Sequence, residues 1–460
     1  MKKFILYTFL IAFLASTATA QKTFKLPAYQ KFKLKNGLTV YLMEQHEVPL
    51  INVSVLIPAG AVSDGKQYGL ATMTAKALMH GTRTLSKQAL EEQVDFVGAD
   101  ISTSSGLEFS RLTAIFATKD REKILNLARD ILLTPSFNPE EFGKEQKNTL
   151  VNLEQNKQQP RSMIGQFFNV HYYGDHVYSN PPSGTVGSVS KLTVADAKAF
   201  YDKYYHPEFA AIAVVGDFKS SEMKALLTSL FSGWAKGAVK PVKADAEVRS
   251  SGSANVLLVN KEDAKETTFS IGGKGVPRSH PDYVSISVLN TILGGRFTSL
   301  LNDELRVNTG LTYGANSSFR ASKYNGTFVI STFTASKTTS AAVDKALEVY
   351  RKFLNTGITE DVLQSGKSYV NGQFPPDYET SGDLANLLTD MFWFEFDEKF
   401  INNFQAGVSG LTLERAKQLI NTHFPKNDLK FVLIGNAGEI RDLAKKYGTV
   451  KEVPIKQDVK

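Results

Sequence analysis

Gly69-Leu-Ala-Thr-Met-Thr-Ala-Lys-Ala-Leu-Met-His-Gly81-Thr82 is the stretch on which the reading of this chain turns. It follows a Gly-rich turn and predicts a helix from about Tyr68 to His80. Two strands precede it, Leu38 to Met43 and Ile51 to Pro58. A short helix from Ser86, an alternating strand pair over Asp100 to Ala117 and a helix over Arg121 to Leu132 follow. The same grammar returns about 210 residues later, as a repeat search should reveal before anything else. There it reads as strands over Ala254 to Asn260 and Thr267 to Gly273 and helices over His280 to Leu293 and Phe297 to Asn308. An alternating strand pair over Thr312 to Ala335 and a helix over Thr339 to Leu354 complete it. Each copy closes on a β-rich run ending in Gly, Ala210 to Gly216 and Lys430 to Gly435. Two copies of one α+β unit are therefore expected, each a mostly antiparallel sheet with helices packed on it. Residues 232–253, rich in Gly, Ala, Ser, Lys and Pro without a clear period, read as the linker. This divides the chain into 1–20, 21–231, 232–253 and 254–460.

Residues 1–20 read as a secretory signal peptide. Lys2 and Lys3 precede an apolar run from Phe4 to Ala15, and Ala18-Thr19-Ala20 supplies small residues for cleavage after Ala20. The apolar run is about a dozen residues, short of the roughly 20 that span a bilayer. No later segment is read as spanning, so export to the periplasm without a membrane anchor is expected. The absence of cysteine removes disulfides, thiolate zinc sites and cysteine nucleophiles together. With 42% hydrophobic and 22% charged residues the composition is that of a globular protein, and 460 residues exceed what one core supports. The formal charge of +7 falls to +5 without Lys2 and Lys3. That is too mild for a nucleic-acid binder, and no basic block with interleaved aromatics appears.

The stretch from Gly69 to Thr82 resembles the signature helix of the pitrilysin/insulinase peptidases, G-L-A-H-x-x-E-H-x-x-x-x-G-T. Leu34 to Leu42 (LKNGLTVYL) resembles the family's opening strand. His176-Val-Tyr178, Gly184-Thr185, Leu192-Thr193, Phe200 to Pro207 and Val214 to Asp217 follow the order of its N-terminal half. Leu293 to Arg306 (LGGRFTSLLNDELR) and Gly310-Leu-Thr-Tyr313-Gly follow its C-terminal half. The matches span nearly the whole mature chain, and their order is more specific than any single fragment.

The departure from the pattern matters more. Two histidines at i and i+4 share a helical face and can bind one metal, while a glutamate just before the second can activate its water. Here those positions hold Thr72, Lys76 and Ala75. The resemblance implies a third ligand on a later helix, where Asn152 stands, and a second acidic position matched by Glu145, about two helical turns earlier. One carboxylate is not a zinc site, so neither a metal nor another cofactor is expected in this chain. The seven histidines offer no replacement, since five are isolated in sequence and His171 and His176 miss the i,i+4 spacing. If Lys76 and Glu145 lie close, the ammonium would replace the missing positive charge; two separately solvated charges are the plain alternative.

The resemblance also implies that a C-half Arg and Tyr orient the substrate and stabilise the developing oxyanion. The matching residues are Arg306 and Tyr313, and their chemistry suits the task. An ion pair of Arg306 with a helix-surface acid such as Asp303 is the structural alternative. Some relatives divide the work between two chains, one carrying zinc and one the Arg/Tyr pair. The expectation is therefore a periplasmic, non-zinc subunit of a heterodimeric zinc metalloendopeptidase that cleaves peptides, with zinc in a homologous partner. Its alternatives are an inactive structural or peptide-binding relative and, as family transfer would have it, an active zinc peptidase. Ala99 to Ser105 is the candidate edge strand for pairing with an extended peptide.

Overall fold

The computed structural model describes residues 23–248 and 254–460. The expected signal peptide and the last part of the linker, 249–253, lie outside the described residues. The N-terminal half contains β1 (Gln30–Lys33), β2 (Thr39–Glu44), β3 (Leu50–Ile57), β4 (Asp100–Ser105), β5 (Ser110–Ala117) and β6 (Ala211–Gly216). The C-terminal half contains β7 (Val256–Asn260), β8 (Glu266–Lys274), β9 (Ala315–Ala321), β10 (Gly326–Ala335), β11 (Lys430–Gly435) and β12 (Val450–Pro454). The sheet orders are β1-β2-β6-β3-β5-β4 and β12-β7-β11-β8-β10-β9. Five strands thus superpose in order, β2-β6-β3-β5-β4 on β7-β11-β8-β10-β9, as the repeat predicted.

Both sheets are mixed and, as expected, mostly antiparallel. β6 runs parallel to β2, and β11 to β7, because each late strand inserts into the middle of its sheet instead of closing an edge. The sixth strand breaks the symmetry: β1 joins antiparallel from the chain's beginning, β12 parallel from its end.

Central strands buried on both faces explain the uninterrupted apolar runs AIAVVG and KFVLIG, whose every residue is buried. In the N half, Val40, Leu42, Ile212 and Val214 face the half's own helices. The alternate residues Tyr41, Met43, Ala213 and Val215 face a helix of the other half, Ser381–Phe394, through Leu384, Leu388 and Met391. The C half reciprocates. Leu257, Val259, Val432 and Ile434 are covered by Ile164, Phe167 and Phe168 of the N-half helix Pro160–Tyr173. Each half therefore lends a helix to the other's sheet.

Polar contacts register this exchange. Arg111 on β5 donates to Asn386 Oδ1 (2.5 Å) and Thr389 Oγ1 (3.0 Å), and pairs with Asp390 at 2.7 Å. Glu108, in the β4–β5 turn, accepts from Tyr178 OH (2.5 Å), from the Lys323 backbone N–H (3.1 Å to each oxygen) and from Trp393 Nε1 (3.3 Å). Burial raises its carboxyl above the ordinary value, against the pull of those donors. The linker is less free than its composition suggested: Trp234 is buried and donates to Tyr205 O, while Ala246 O accepts from Asn325. The run 283–308 needs a correction too, since it is long and apolar enough to span a bilayer, with a mean hydropathy of 1.3. Its Ile286, Leu289, Leu293, Leu301 and Leu305 instead fill the C-half core.

Phe168→Ala should lower the unfolding free energy by about 3–5 kcal/mol in a denaturant titration, with both halves still unfolding together. A second, separate transition with the N half unchanged would contradict the exchange. For Glu108 the raised pKa sets the sign: its contribution is complete below its unfolded value of 4.5 and declines as pH rises through the folded value. Relative to Glu108→Gln, the wild-type melting temperature should therefore decline as pH rises above 4.5, and a constant difference would refute this.

Candidate functional site

The signature stretch forms the helix Leu70–Leu78. Gly69 starts it at φ 89°, and a Cβ there would lie 2.9 Å from Gly184 Cα, so the family-like Gly69 and Gly184 are demanded by one backbone crossing. Asp64 caps the helix by accepting from the backbone N–H of Gly69 and Ala71, each at 2.8 Å. Burial pushes its carboxyl up to about 7 even so.

On the face where a metal would be held, each position is otherwise engaged. Thr72 Oγ1 donates to Pro182 O at 2.6 Å. Ala75 is fully buried, and its carbonyl accepts from Thr103 Oγ1 at 2.7 Å, which fastens edge strand β4 to the helix. Lys76 Nζ donates to Glu145 Oε1 at 2.7 Å and to Thr149 Oγ1 at 3.2 Å, while Thr149 donates to the same carboxylate oxygen at 3.3 Å. Glu145 and Thr149 lie on the helix Pro139–Lys157, and Asn152, further along it, is exposed. These residues do not fit zinc: the one carboxylate is already bound to an ammonium, and among the described residues no imidazole or second carboxylate is grouped with it at metal-holding distance.

The second expected group lies in the C half. Arg306 sits in a widened π-helical turn, Asp303–Asn308, and Tyr313 two residues before β9. The guanidinium carbon lies 4.4 Å from the ring centre of Tyr313 and 4.7 Å from that of Phe297. Phe297 was not singled out from the sequence; an aromatic residue just after the Gly-Gly turn was the available signal. Both rings are unusually exposed, Tyr313 at 75% and Phe297 at 63%. Among the described residues Arg306 forms no ion pair, so the alternative partner Asp303 does not hold it. Stacking fixes a guanidinium plane while leaving its N–H groups available. Gly294 lets this segment approach β9, since a Cβ there would lie 2.3 Å from Ser317 N.

His176 serves structure: its Nδ1 accepts from Tyr178 N at 3.0 Å, and its Nε2 lies 2.9 Å from Asp245 O. The chain's end, which the sequence left unread, reaches back to the N half. Asp458 accepts from Gly187 N at 2.7 Å and pairs with Lys157 at 2.7 Å.

Fold and site define a two-half inverzincin-type protein whose metal helix carries none of the zinc-binding residues. The family profile "Insulinase (Peptidase family M16)" matches residues 39–185, and "Peptidase M16 inactive domain" matches residues 191–369. The chain belongs to this insulinase family, as a member without the zinc-binding residues. It is 23% identical over 441 residues, 95% of this chain and 99% of the relative, to "Non-peptidase homolog YmxG" of Helicobacter pylori. It is 25% identical to "Zinc protease PqqE" of the same organism, covering 87% of this chain and 91% of that one. The crystal structure of a peptidase M16 inactive domain from Pseudomonas fluorescens shares the fold, with a TM-score of 0.82 at 24% identity over 89% of this chain and 98% of that one.

The Lys76–Glu145 pair is partly exposed, so its coupling should be modest. A double-mutant cycle of Lys76→Met and Glu145→Gln in urea should give a coupling of roughly 0.5–1 kcal/mol. A coupling of zero would mean the two charges act independently.

Proposed function

We propose that this chain is the non-zinc subunit of an exported, periplasmic, two-chain zinc metalloendopeptidase, with a homologous zinc-carrying partner. The observation that carries the reading is the contrast between its two halves. The metal helix is filled by Thr72, Ala75 and Lys76, whereas Arg306 lies against the exposed rings of Phe297 and Tyr313 and, among the described residues, forms no ion pair.

In this reading the metal chemistry belongs to the partner, and this chain positions the substrate. Arg306 supplies a fixed positive charge to the scissile carbonyl region. The Tyr313 hydroxyl donates a hydrogen bond to the carbonyl oxygen as negative charge develops there. Extended peptides are the favoured substrate class, because β4 and β9 are edge strands of their sheets and an edge can accept one more strand. β4 is polar and alternates in exposure, which suits pairing by main-chain hydrogen bonds rather than apolar burial.

A second reading, an inactive structural or peptide-binding protein, is favoured by the name "Non-peptidase homolog" of a relative that matches along 95% of this chain. The two readings differ in what happens when the partner is added. Purified with a homologue that retains the H-x-x-E-H motif, the chain should cleave unstructured peptides, and neither chain alone should do so at a comparable rate. Arg306→Ala and Tyr313→Phe should each lower kcat of the pair by about 10²-fold or more with the complex intact. Full activity in both variants would remove the shared-site reading and leave the structural one. Chelator-sensitive cleavage by this chain alone would overturn both.

A further inference from the structure

His280, Asp282 and His423 each present a ligand atom, and the three atoms lie within 4.8 Å of one another. His280 and Asp282 precede the helix Tyr283–Asn290, and His423 ends the helix Leu413–His423, 141 residues beyond Asp282. The sequence therefore showed only isolated histidines, and the fold brings two of them onto one carboxylate. We infer that these residues form a binding site for a divalent d-block cation in the C-terminal half, separate from the degenerate metal helix.

The local geometry supports a cation of the zinc, nickel or copper kind. His423 Nε2 lies 3.0 Å from Asp282 Oδ2, and the two imidazole rings lie 4.7 Å apart, centre to centre, at 76°. Two imidazoles with one carboxylate suit these metals and not magnesium or calcium, which take all-oxygen shells. A metal would replace the hydrogen-bonding proton between His423 and Asp282; with bonds of about 2.0–2.2 Å the ligand atoms around a tetrahedral ion stand about 3.4 Å apart, so the 3.0 Å pair opens slightly while any wider separation closes. The Asp282 backbone N–H donates to His280 Nδ1 at 3.1 Å, which fixes the His280 ring. Arg415 holds the other carboxylate oxygen, Oδ1, at 2.7 Å and leaves Oδ2 turned toward His423. A hydrogen bond to the outer oxygen of a carboxylate is a common way to orient a ligand. The guanidinium also adds positive charge beside the site, so the affinity belongs in the micromolar rather than the nanomolar class. All three donors are half-buried, which leaves a path for the ion and a position for water.

Such an ion would join the entry of one helix to the end of another over the C-half core. It touches neither Arg306 nor Lys76, so its test is independent of the peptidase reading. The experiment is titration of the tag-free, chelator-stripped full chain with Ni²⁺ and Zn²⁺ by calorimetry, with Mg²⁺ as the hard-cation control. One ion per chain should bind saturably, Mg²⁺ should not compete, and His280→Ala and His423→Ala should each weaken binding by about tenfold or more. Equal binding by the His280→Ala/His423→Ala variant, or no saturable binding by the wild type, overturns the proposal. Because a variant can fail to fold, Cu²⁺ bound to the wild-type chain provides a second readout. Its electron paramagnetic resonance should show coupling to two imidazole nitrogens, and a spectrum without nitrogen coupling also overturns it.

Discussion

The exchange of helices between the halves is the constraint on which the rest of this structure depends. Each sheet has a second apolar face that its own half leaves uncovered, and a helix from the opposite half covers it. Tyr41, Met43 and Val215 need Leu388 and Met391; Leu257, Val432 and Ile434 need Phe167 and Phe168. Fully burying one such side chain is worth about 1.5–3 kcal/mol, so several on each face make separation of the halves costly. Arg111 and Glu108 then select one register, because each buried polar group must meet its donors or acceptors across the junction. The Arg111–Asn386–Asp390 contacts and the Glu108–Tyr178–Lys323 contacts do this side by side, at the start of β5 and in the turn before it.

Within that frame the former metal position is a satisfied structural element. A half-buried Glu145 without a cation would carry a poorly compensated charge, and Lys76 supplies the cation from the adjacent helix. Thr72 turns to the Pro182 carbonyl and Ala75 closes against Thr103. These contacts tie the helix to the loop that carries Gly184 and to edge strand β4. The helix has kept its packing role while its chemistry is gone. By contrast, Phe297, Arg306 and Tyr313 spend exposed aromatic surface on holding one guanidinium. Stability alone gives no reason for two largely exposed rings in that place.

Much of the fold was legible because its strands and helices repeat, and a repeat constrains each copy by the other. The strand limits near Leu38, Ile51, Thr267 and Lys430 and the helix around Thr72 follow from local pattern. Sheet order was less accessible: that β6 and β11 insert centrally and parallel is a matter of long-range pairing, which an apolar run such as AIAVVG signals only as burial on both faces. The lent helices were invisible for the same reason, since Pro160–Tyr173 and Ser381–Phe394 look like ordinary amphipathic segments. In the site, residue types excluded zinc directly, because alanine and lysine at ligand positions need no coordinates. The stack of Phe297 on Arg306, the return of Asp458 to Gly187 and the meeting of His280 with His423 depend on tertiary distance and carried no sequence signal beyond residue type.

The central claim is that the metal position of the N half is permanently replaced by side-chain contacts. The most direct measurement is an anomalous difference map at the zinc absorption edge from crystals of the full chain soaked in zinc. The account predicts no anomalous peak within bonding distance of Glu145, with the Lys76 ammonium still 2.7 Å from its carboxylate. A zinc peak bound to Glu145 with Lys76 displaced would contradict it.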